Sequence, residues 1–268
     1  MPRFSAAYLA RTRAGMWEAN DRQALGALDL EQAATVLDVG SGTGVLAGVL
    51  AEESLGRVYA IDNARGLLRD TPASVTPIEG EATALPCASD CVDMVTCQAL
   101  LVNLPHPATA ISEFVRVTRD GGQVAAIEPD NGDVDVSSSV DGESSLAAET
   151  RELYLSGART DVTLGASEGA FASAGLTDIS VRRYDHRLII EPPYSDADVR
   201  ATARKATGAG FRARQGVLRA GGVEPAEIDR LRTAWRQLGR EAIAQLEAGT
   251  YRRVEQVPFY VTVGRVSA

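Results

Sequence analysis

The chain has 268 residues, of which 45% are hydrophobic, and a formal net charge of −9. This length suits one large α/β domain or a domain with a helical addition. No window approaches the roughly 20 apolar residues of a membrane span, and the N-terminus lacks a charged-then-apolar signal pattern. We therefore expect a cytoplasmic protein with no membrane partner. The negative charge disfavours nucleic acid as a partner of the whole surface.

Helices are predicted over 5–16 and 18–28, within an N-terminal segment that we place at 1–30. The next element is an apolar strand, 34–37, which ends in the run Asp-Val-Gly-Ser-Gly-Thr-Gly. A helix over 45–54 follows. Glycines at alternate positions allow positive φ and let a ligand approach the main chain. The N-terminus of the following helix offers unpaired N–H groups to an anionic group.

A second strand, 57–62, ends in Asp62, at the spacing where nucleoside-binding α/β units hold ribose hydroxyls. A dinucleotide fingerprint would need glycine where this chain has Val45, and a phosphate-binding loop would need Gly-Lys-Ser/Thr, whereas the only lysine is Lys205. The glycine-rich run fits neither of these motifs. Its distinguishing feature is an acid, Asp38, two residues before the first glycine. An acid there suits a ligand that carries an ammonium group.

These motifs resemble those of the class I S-adenosylmethionine-dependent methyltransferases, whose first motif is close to VLDVGSGTG at 36–44. EGEATALP at 79–86 resembles the family's adenine motif, with Glu81 in place of aspartate. The segments 91–107 and 111–130 resemble the fourth strand with its loop, and the next helix and fifth strand. The similarity covers about a third of the chain and is nearest to the quinone-biosynthesis-like branch, which methylates small molecules.

The resemblance implies an α/β fold with a Rossmann-like, seven-stranded, mostly parallel sheet, N-terminal helices and a helical cap insertion. The main domain would comprise 31–191 and 251–268, and the cap 192–250. The resemblance also implies S-adenosyl-L-methionine as cofactor and a set of residues that contact it: Asp38, Gly40, Ser41, Gly42, Gly44, Asp62, Asn63, Glu81, Ala82 and Gln98.

Beyond the fifth strand, 132–145 is predicted to be a mobile loop because it is polar and rich in serine and glycine. Helices are predicted near 146–156, 167–175, 196–206, 211–220 and 225–247, and strands over 179–191 and 254–266. Residues 200–253 contain 12 basic and 5 acidic residues, a local charge of +7. Two interpretations stay open: a solvated arginine-rich surface, or a cap that attracts an anionic substrate.

The three cysteines, Cys87, Cys91 and Cys97, match no zinc-binding spacing, and no metal site is expected. Two of them fall on the predicted fourth strand, where small buried thiols are common. Their placement fits a reducing compartment without disulfides.

The predicted activity is methyl transfer to a small-molecule acceptor by in-line displacement. It needs alignment and exclusion of water more than a fixed catalytic group, so no catalytic residue is assigned. Two alternatives stay open: a sensor or scaffold that binds the cofactor without transfer, and an RNA- or protein-modifying methyltransferase. The acceptor and the oligomeric state are not set by the sequence. Several polar residues at strand ends are candidates to face the methyl group: Gln98, Asn103, Glu128, Asp130 and Asn131.

Overall fold

A computed structural model describes residues 5–13, 15–17, 21–158, 165, 167–212 and 214–267. The strands within these residues are β1 Thr35–Val39, β2 Arg57–Asp62, β3 Thr76–Glu79, β4 Val92–Gln98, β5 Thr118–Pro129, β6 Asp135–Ser138, β7 Thr177–Ile190 and β8 Arg253–Arg265. The helices are α1 Ala6–Thr12, α2 Val45–Glu53, α3 Pro107–Val117, α4 Glu143–Gly157, α5 Glu168–Ser173, α6 Asp196–Ala206, α7 Ala209–Arg212, α8 Gln215–Ala220 and α9 Pro225–Glu247. None of these helices is both long and apolar enough to cross a membrane.

The first of two compact units comprises Met1–Asp130, Thr160–Asp185 and Pro258–Ala268. Its strands follow the order β3-β2-β1-β4-β5-β8, and β7 pairs with β8. The pairs among β1 to β5 are parallel, whereas β5 and β8 run antiparallel. The predicted Rossmann-like, mostly parallel sheet is therefore confirmed, but the expected number of seven strands was wrong, because β6 also pairs with β8 and gives eight among the described residues.

The core of this unit surrounds β1 and β4. Every residue of β4 is buried, as expected for a central parallel strand covered on both faces. One covering helix is α3, which begins at Pro107, a favoured first helical position. It buries an apolar stripe that includes Ile111 and Phe114. Because neighbouring parallel strands end at one edge, the residues that follow β1, β2 and β4 lie together there.

Several elements differ from their predicted form. The first helix ends at Thr12 instead of residue 16, and Asp21–Leu25 is a 3-10 helix within the predicted helix 18–28, whose residues 18–20 lie outside the described chain. The prediction that 132–145 is only a loop was wrong, because β6 pairs with the start of β8. The composition of 132–145 gives no sign of its pairing partner, because that partner lies more than 100 residues further along the chain. In the paired strand Val136 is buried.

The second unit comprises Asn131–Arg159 and His186–Val257. It contains β6 and α4 in addition to the segment 192–250 expected as a cap. Its largest apolar cluster joins Leu146, Phe211 and Leu218 to the α9 residues Ile228 and Leu231. On the same helix, an ideal Cβ at Gly239 would lie 2.3 Å from the Ala206 nitrogen, so α6 and α9 cross at a distance that only glycine permits.

A charged cluster is buried inside the second unit. The carboxylate of Glu143, whose side chain is 1% exposed, accepts hydrogen bonds from Ser138 at 2.6 Å and from the Tyr251 hydroxyl at 3.0 Å. Lys205 donates to both Glu143 and Tyr251, and the Arg253 guanidinium lies 3.3 Å from Glu143. The only lysine of the chain thus neutralises a carboxylate that water hardly reaches.

We expect Lys205→Met to lower the free energy of unfolding by about 3 kcal/mol, because removal of one partner leaves a buried carboxylate partly unpaired. Urea denaturation followed by circular dichroism measures this loss. The matched control is Arg204→Met on the same helix, since Arg204 is exposed and a surface charge contributes about 0–1 kcal/mol. Equal losses in the two variants would show that the Lys205 ion pair contributes little.

Candidate functional site

The glycine-rich turn after β1 is held against the end of β2. Gly40 and Ser41 donate their N–H groups to the Ile61 carbonyl at 2.7 and 3.0 Å. Gly40, Gly42 and Gly44 all have a positive φ, between 59° and 75°. Residues that carry a side chain rarely adopt this backbone conformation. The alternating glycines are thus required by the turn itself.

Two of these glycines also lie under close-packed side chains. An ideal Cβ at Gly42 would lie 2.7 Å from Leu9 Cδ1 of α1, and one at Gly40 would lie 2.7 Å from Leu100 Cδ1. The main chain of the turn is therefore packed directly against Leu9 of α1 and Leu100 of the loop after β4.

Asp38 lies near the end of β1 and is 1% exposed. Its carboxylate oxygens make no well-aligned hydrogen bond within the described part of the chain, although the Ala47 N–H and the Thr96 hydroxyl lie near enough to lower its pKa. Burial raises the pKa of Asp38 to about 7, against the opposing effect of the nearby Arg13 guanidinium. Two other buried oxygens at the same strand edge lack a described partner, Ser41 Oγ and Gln98 Oε1. The edge therefore presents acceptors that suit a positively charged or hydrogen-bond-donating ligand.

Arg13 is the basic residue of this edge, and sequence reasoning missed it. Its Nη2 donates to the Gln98 carbonyl at 3.3 Å, and its charge interacts with Asp38, Glu128 and Asp62. Burial lowers the pKa of Arg13, although guanidinium stays charged at neutral pH. An arginine just after a short N-terminal helix carries no motif, so no local signal could have identified it.

Asp62, at the end of β2, accepts two backbone hydrogen bonds. Its Oδ2 accepts from Gly42 N–H at 2.8 Å and its Oδ1 from Ala64 N–H at 2.7 Å. The carboxylate thus joins the glycine-rich turn to the loop after β2. Beyond it, Asn63 Nδ2 donates to both carboxylate oxygens of Glu81 at 3.2 and 3.3 Å, and Ala82 is buried beside them. The structure brings the residues of the first three motifs to one edge.

Two strand-end candidates for facing the methyl group hold the loop after β4. The carboxylate of Glu128 accepts N–H bonds from Leu100, Leu101 and Val102 at 2.9 to 3.2 Å. Burial raises the pKa of Glu128 to about 7 against these bonds. Asn103 Nδ2 donates to the Ala99 carbonyl at 2.8 Å. Both side chains are thus engaged by the loop after β4, and their role as methyl-facing residues stays a prediction.

Aromatic residues lie beside the same edge. Trp17 stacks on Tyr184 with ring centroids 6.0 Å apart, and Tyr184 contacts Phe259 at 6.4 Å. The Tyr184 hydroxyl donates to the Met16 carbonyl at 2.9 Å, and Gln98 Nε2 donates to Met16 Sδ at 2.8 Å. The N-terminal segment is thereby attached to the end of β4 and to the middle of β7.

The segment that forms this edge of the sheet is similar to known proteins. Residues 37–126 match a family model described as a methyltransferase domain. This segment is a class I methyltransferase domain. The match lies within the 36–130 region whose motifs predicted it, so the predicted family is confirmed.

Curated methyltransferases match part of the chain. A demethylmenaquinone methyltransferase from Renibacterium salmoninarum is 39% identical over 97 residues, which are 35% of this chain and 40% of the relative. A trans-aconitate 2-methyltransferase from Azoarcus sp. is 33% identical over 128 residues, 46% of this chain and 47% of the relative. The methyltransferase domain is what they share, and the chain spans less than half of the length of either relative.

Solved structures share the fold of the chain. BH2331 of Bacillus halodurans C-125, described as a candidate methyltransferase, superposes with a TM-score of 0.55 at 15% identity and covers 92% of this chain and 98% of its own. The YcgJ protein of Bacillus subtilis superposes with a TM-score of 0.51 at 13% identity, over 92% of this chain and 100% of its own. At such identities the likeness concerns the fold alone.

The residues present fit S-adenosylmethionine, the cofactor implied by a methyltransferase domain of this class. The buried Asp38 carboxylate makes no well-aligned hydrogen bond within the described residues, as expected of a ligand for an ammonium group. The main chain is bare at Gly40 and Gly42, where a Cβ would collide with Leu100 and Leu9. Asp62 and Glu81 place further carboxylate oxygens along the edge.

Proposed function

We propose that this protein transfers a methyl group from S-adenosylmethionine to a small-molecule acceptor. The observation that carries the proposal is the Asp38 carboxylate, which is buried without a well-aligned hydrogen bond beside the glycine-rich turn. Burial of such a carboxylate lowers the stability of the folded protein unless a cationic group pairs with it. The family match over 37–126 supports the same conclusion.

In this proposal the cofactor lies along the edge with its amino-acid end at β1 and its adenosine at β2 and β3. Asp38 would accept from the ammonium group, and the turn with Gly40, Ser41, Gly42 and Gly44 would receive the amino-acid chain. Asp62 would hold the ribose hydroxyls. Asn63, Glu81 and Ala82 would contact the adenine, and Gln98 would offer its Oε1 to the amino-acid end.

When bound, S-adenosylmethionine supplies a methyl group already activated by a sulfonium centre. The chain's own part is then to align the acceptor and to exclude water. Leu9 and Leu100 already cover the glycine-rich turn. We assign no general base, because one is needed only if the acceptor atom must lose a proton.

The acceptor that we propose is a small organic molecule, as the names of the relatives support. The name of one relative, trans-aconitate 2-methyltransferase, refers to a carboxylate acceptor. This name supports an anionic acceptor for the present protein as well.

Calorimetric titration with S-adenosylmethionine and S-adenosylhomocysteine, with NAD and ATP as controls, tests the proposal first. We expect both adenosyl compounds to bind at micromolar concentrations, a typical range for small ligands, and NAD and ATP not to bind. Transfer of radiolabelled methyl to a panel of small carboxylates, phenols and amines then tests the reaction. Binding of NAD or ATP alone would contradict the proposed cofactor, and binding without transfer to any acceptor would favour a sensor or scaffold.

A further inference from the structure

Two cysteines lie close together in the loop that leads into β4. Cys87 is partly buried, Cys91 is exposed, and both are free thiols that interact with each other. The expectation that Cys91 lies buried on the fourth strand was wrong, because the strand begins at Val92. The sulfur of Cys91 is therefore accessible to solutes, and the sulfur of Cys87 lies close to it.

The loop holds these sulfurs together through backbone contacts. Asp90 has a φ of 54°, a conformation that reverses the chain between the two cysteines. Asp90 and Cys91 donate their N–H groups to the Arg116 and Val117 carbonyls at 3.0 and 2.9 Å. Cys91 Sγ contacts the Ala88 carbonyl at 3.0 Å, so its sulfur points back along the turn.

A second set of contacts fixes the cysteine on the other side of the turn. Arg116 of α3 donates through Nη1 to the Cys87 carbonyl at 3.0 Å and through Nη2 to the Leu85 carbonyl at 3.2 Å. Glu113 accepts from Leu85 N–H at 2.8 Å and pairs with Arg116. The Cys87 and Leu85 carbonyls are therefore fixed to α3 through Arg116.

We propose that Cys87 and Cys91 are a site of reversible oxidation, at which a peroxide converts the two thiols into an intramolecular disulfide. In the first step the Cys91 thiolate attacks one oxygen of hydrogen peroxide, which forms a sulfenic acid and releases hydroxide. In the second step the Cys87 sulfur attacks the Cys91 sulfur. The S–S bond forms, the S–O bond breaks, and the Cys87 proton leaves with the hydroxyl group as water.

The order of the steps follows from the surroundings of the two sulfurs. Burial, together with the neighbouring Cys91, raises the pKa of Cys87, so its thiol is the weaker first nucleophile. Cys91 is exposed and meets the oxidant first. Cys97, the third cysteine, is fully buried on β4, and burial raises its pKa well above the ordinary value. It is expected to stay reduced.

The test is mass spectrometry of the full chain after treatment with a small excess of hydrogen peroxide and alkylation of the remaining thiols. We expect the wild type to lose two hydrogens and to keep one alkylatable cysteine, Cys97. Dithiothreitol should restore all three. Fragmentation of a digest should place the bridge between Cys87 and Cys91.

The variants separate the roles of the two sulfurs. Cys87→Ser should leave a sulfenic acid at Cys91 that dimedone traps, whereas the wild type should show little dimedone adduct because Cys87 resolves it. Cys97→Ser, the matched control, should still form the bridge. The proposal is overturned if the wild type accumulates the dimedone adduct as Cys87→Ser does, if Cys91 proceeds to the sulfinic acid, or if only intermolecular disulfides form. Circular dichroism verifies that each variant is folded.

Discussion

Replacement of Asp38 by asparagine is expected to stabilise the ligand-free protein at pH 8 and to weaken cofactor binding. The pKa of Asp38 is raised from 3.8 to about 7 by burial. When burial raises the pKa of a carboxyl group, the protonated group favours the folded state. This contribution to stability is complete below the pKa of the unfolded state, and it is lost as the pH rises through the pKa of the folded state. The difference of about three units corresponds to about 4 kcal/mol at pH 8.

Asparagine removes this ionisation but leaves a buried amide, which costs about 1–3 kcal/mol when it lacks a partner. We therefore expect a net gain of about 2 kcal/mol in the free energy of unfolding at pH 8, which shrinks as the pH falls toward 4. Urea denaturation at both pH values measures it. S-Adenosylmethionine affinity should fall by about tenfold or more, the usual effect of losing a charge-assisted hydrogen bond.

The matched control is Asp93→Asn on β4. Asp93 is also buried, but its Oδ2 accepts from Thr35 N–H at 2.7 Å and its Oδ1 pairs with Arg119. Loss of these contacts should destabilise the protein at pH 8, a change of opposite sign. If Asp38→Asn also destabilises the protein at pH 8, the Asp38 carboxylate is not an unpaired ligand group.

Replacement of Arg13 by alanine is expected to weaken the binding of cofactor that carries an amino-acid tail. Arg13 is half-buried near Asp38 and donates to the Gln98 carbonyl. If Asp38 takes the ammonium group, the guanidinium next to it is suited to the α-carboxylate of the same ligand. We expect S-adenosylhomocysteine to bind about tenfold more weakly, as for the loss of one charge-assisted contact.

The informative comparison is with 5′-methylthioadenosine, which shares the adenosyl thioether and lacks the amino-acid tail. Its affinity should change by less than about twofold in Arg13→Ala, since no contact with it is lost. Arg22→Ala is the matched control, because Arg22 pairs with Glu52 and Glu53 at the surface. An equal loss for both ligands would indicate that Arg13 acts only by packing the N-terminal segment.

The sequence predicted the sheet and the turn because their signals are local. The glycines at 40, 42 and 44 and the acid at the end of β2 are set by backbone geometry within one βαβ unit. Family resemblance then ordered the remaining strands. The orientation of single side chains could not be predicted from the sequence. Glu128 is an example: its position at a strand end suggested a ligand-facing role, and its carboxylate accepts hydrogen bonds from three N–H groups of the loop after β4.

Residues that act through long-range contacts were also missed. Arg13 reaches the edge only because Met16 and Trp17 attach the N-terminal segment to β4 and β7. Likewise, Asp135–Ser138 becomes a strand because Arg253–Gln256 pairs with it. Such pairings depend on tertiary structure, which overrides the weak strand propensity of a serine-rich segment.

The second unit is assembled from two separate stretches of chain, Asn131–Arg159 and His186–Val257. Its ion cluster needs both, because Ser138 and Glu143 come from the first and Lys205, Tyr251 and Arg253 from the other. A graft of 192–250 alone onto another protein would leave behind the carboxylate that Lys205 neutralises and the Leu146 side chain that packs with Phe211. Chimeras between this protein and its relatives therefore have to exchange both stretches together.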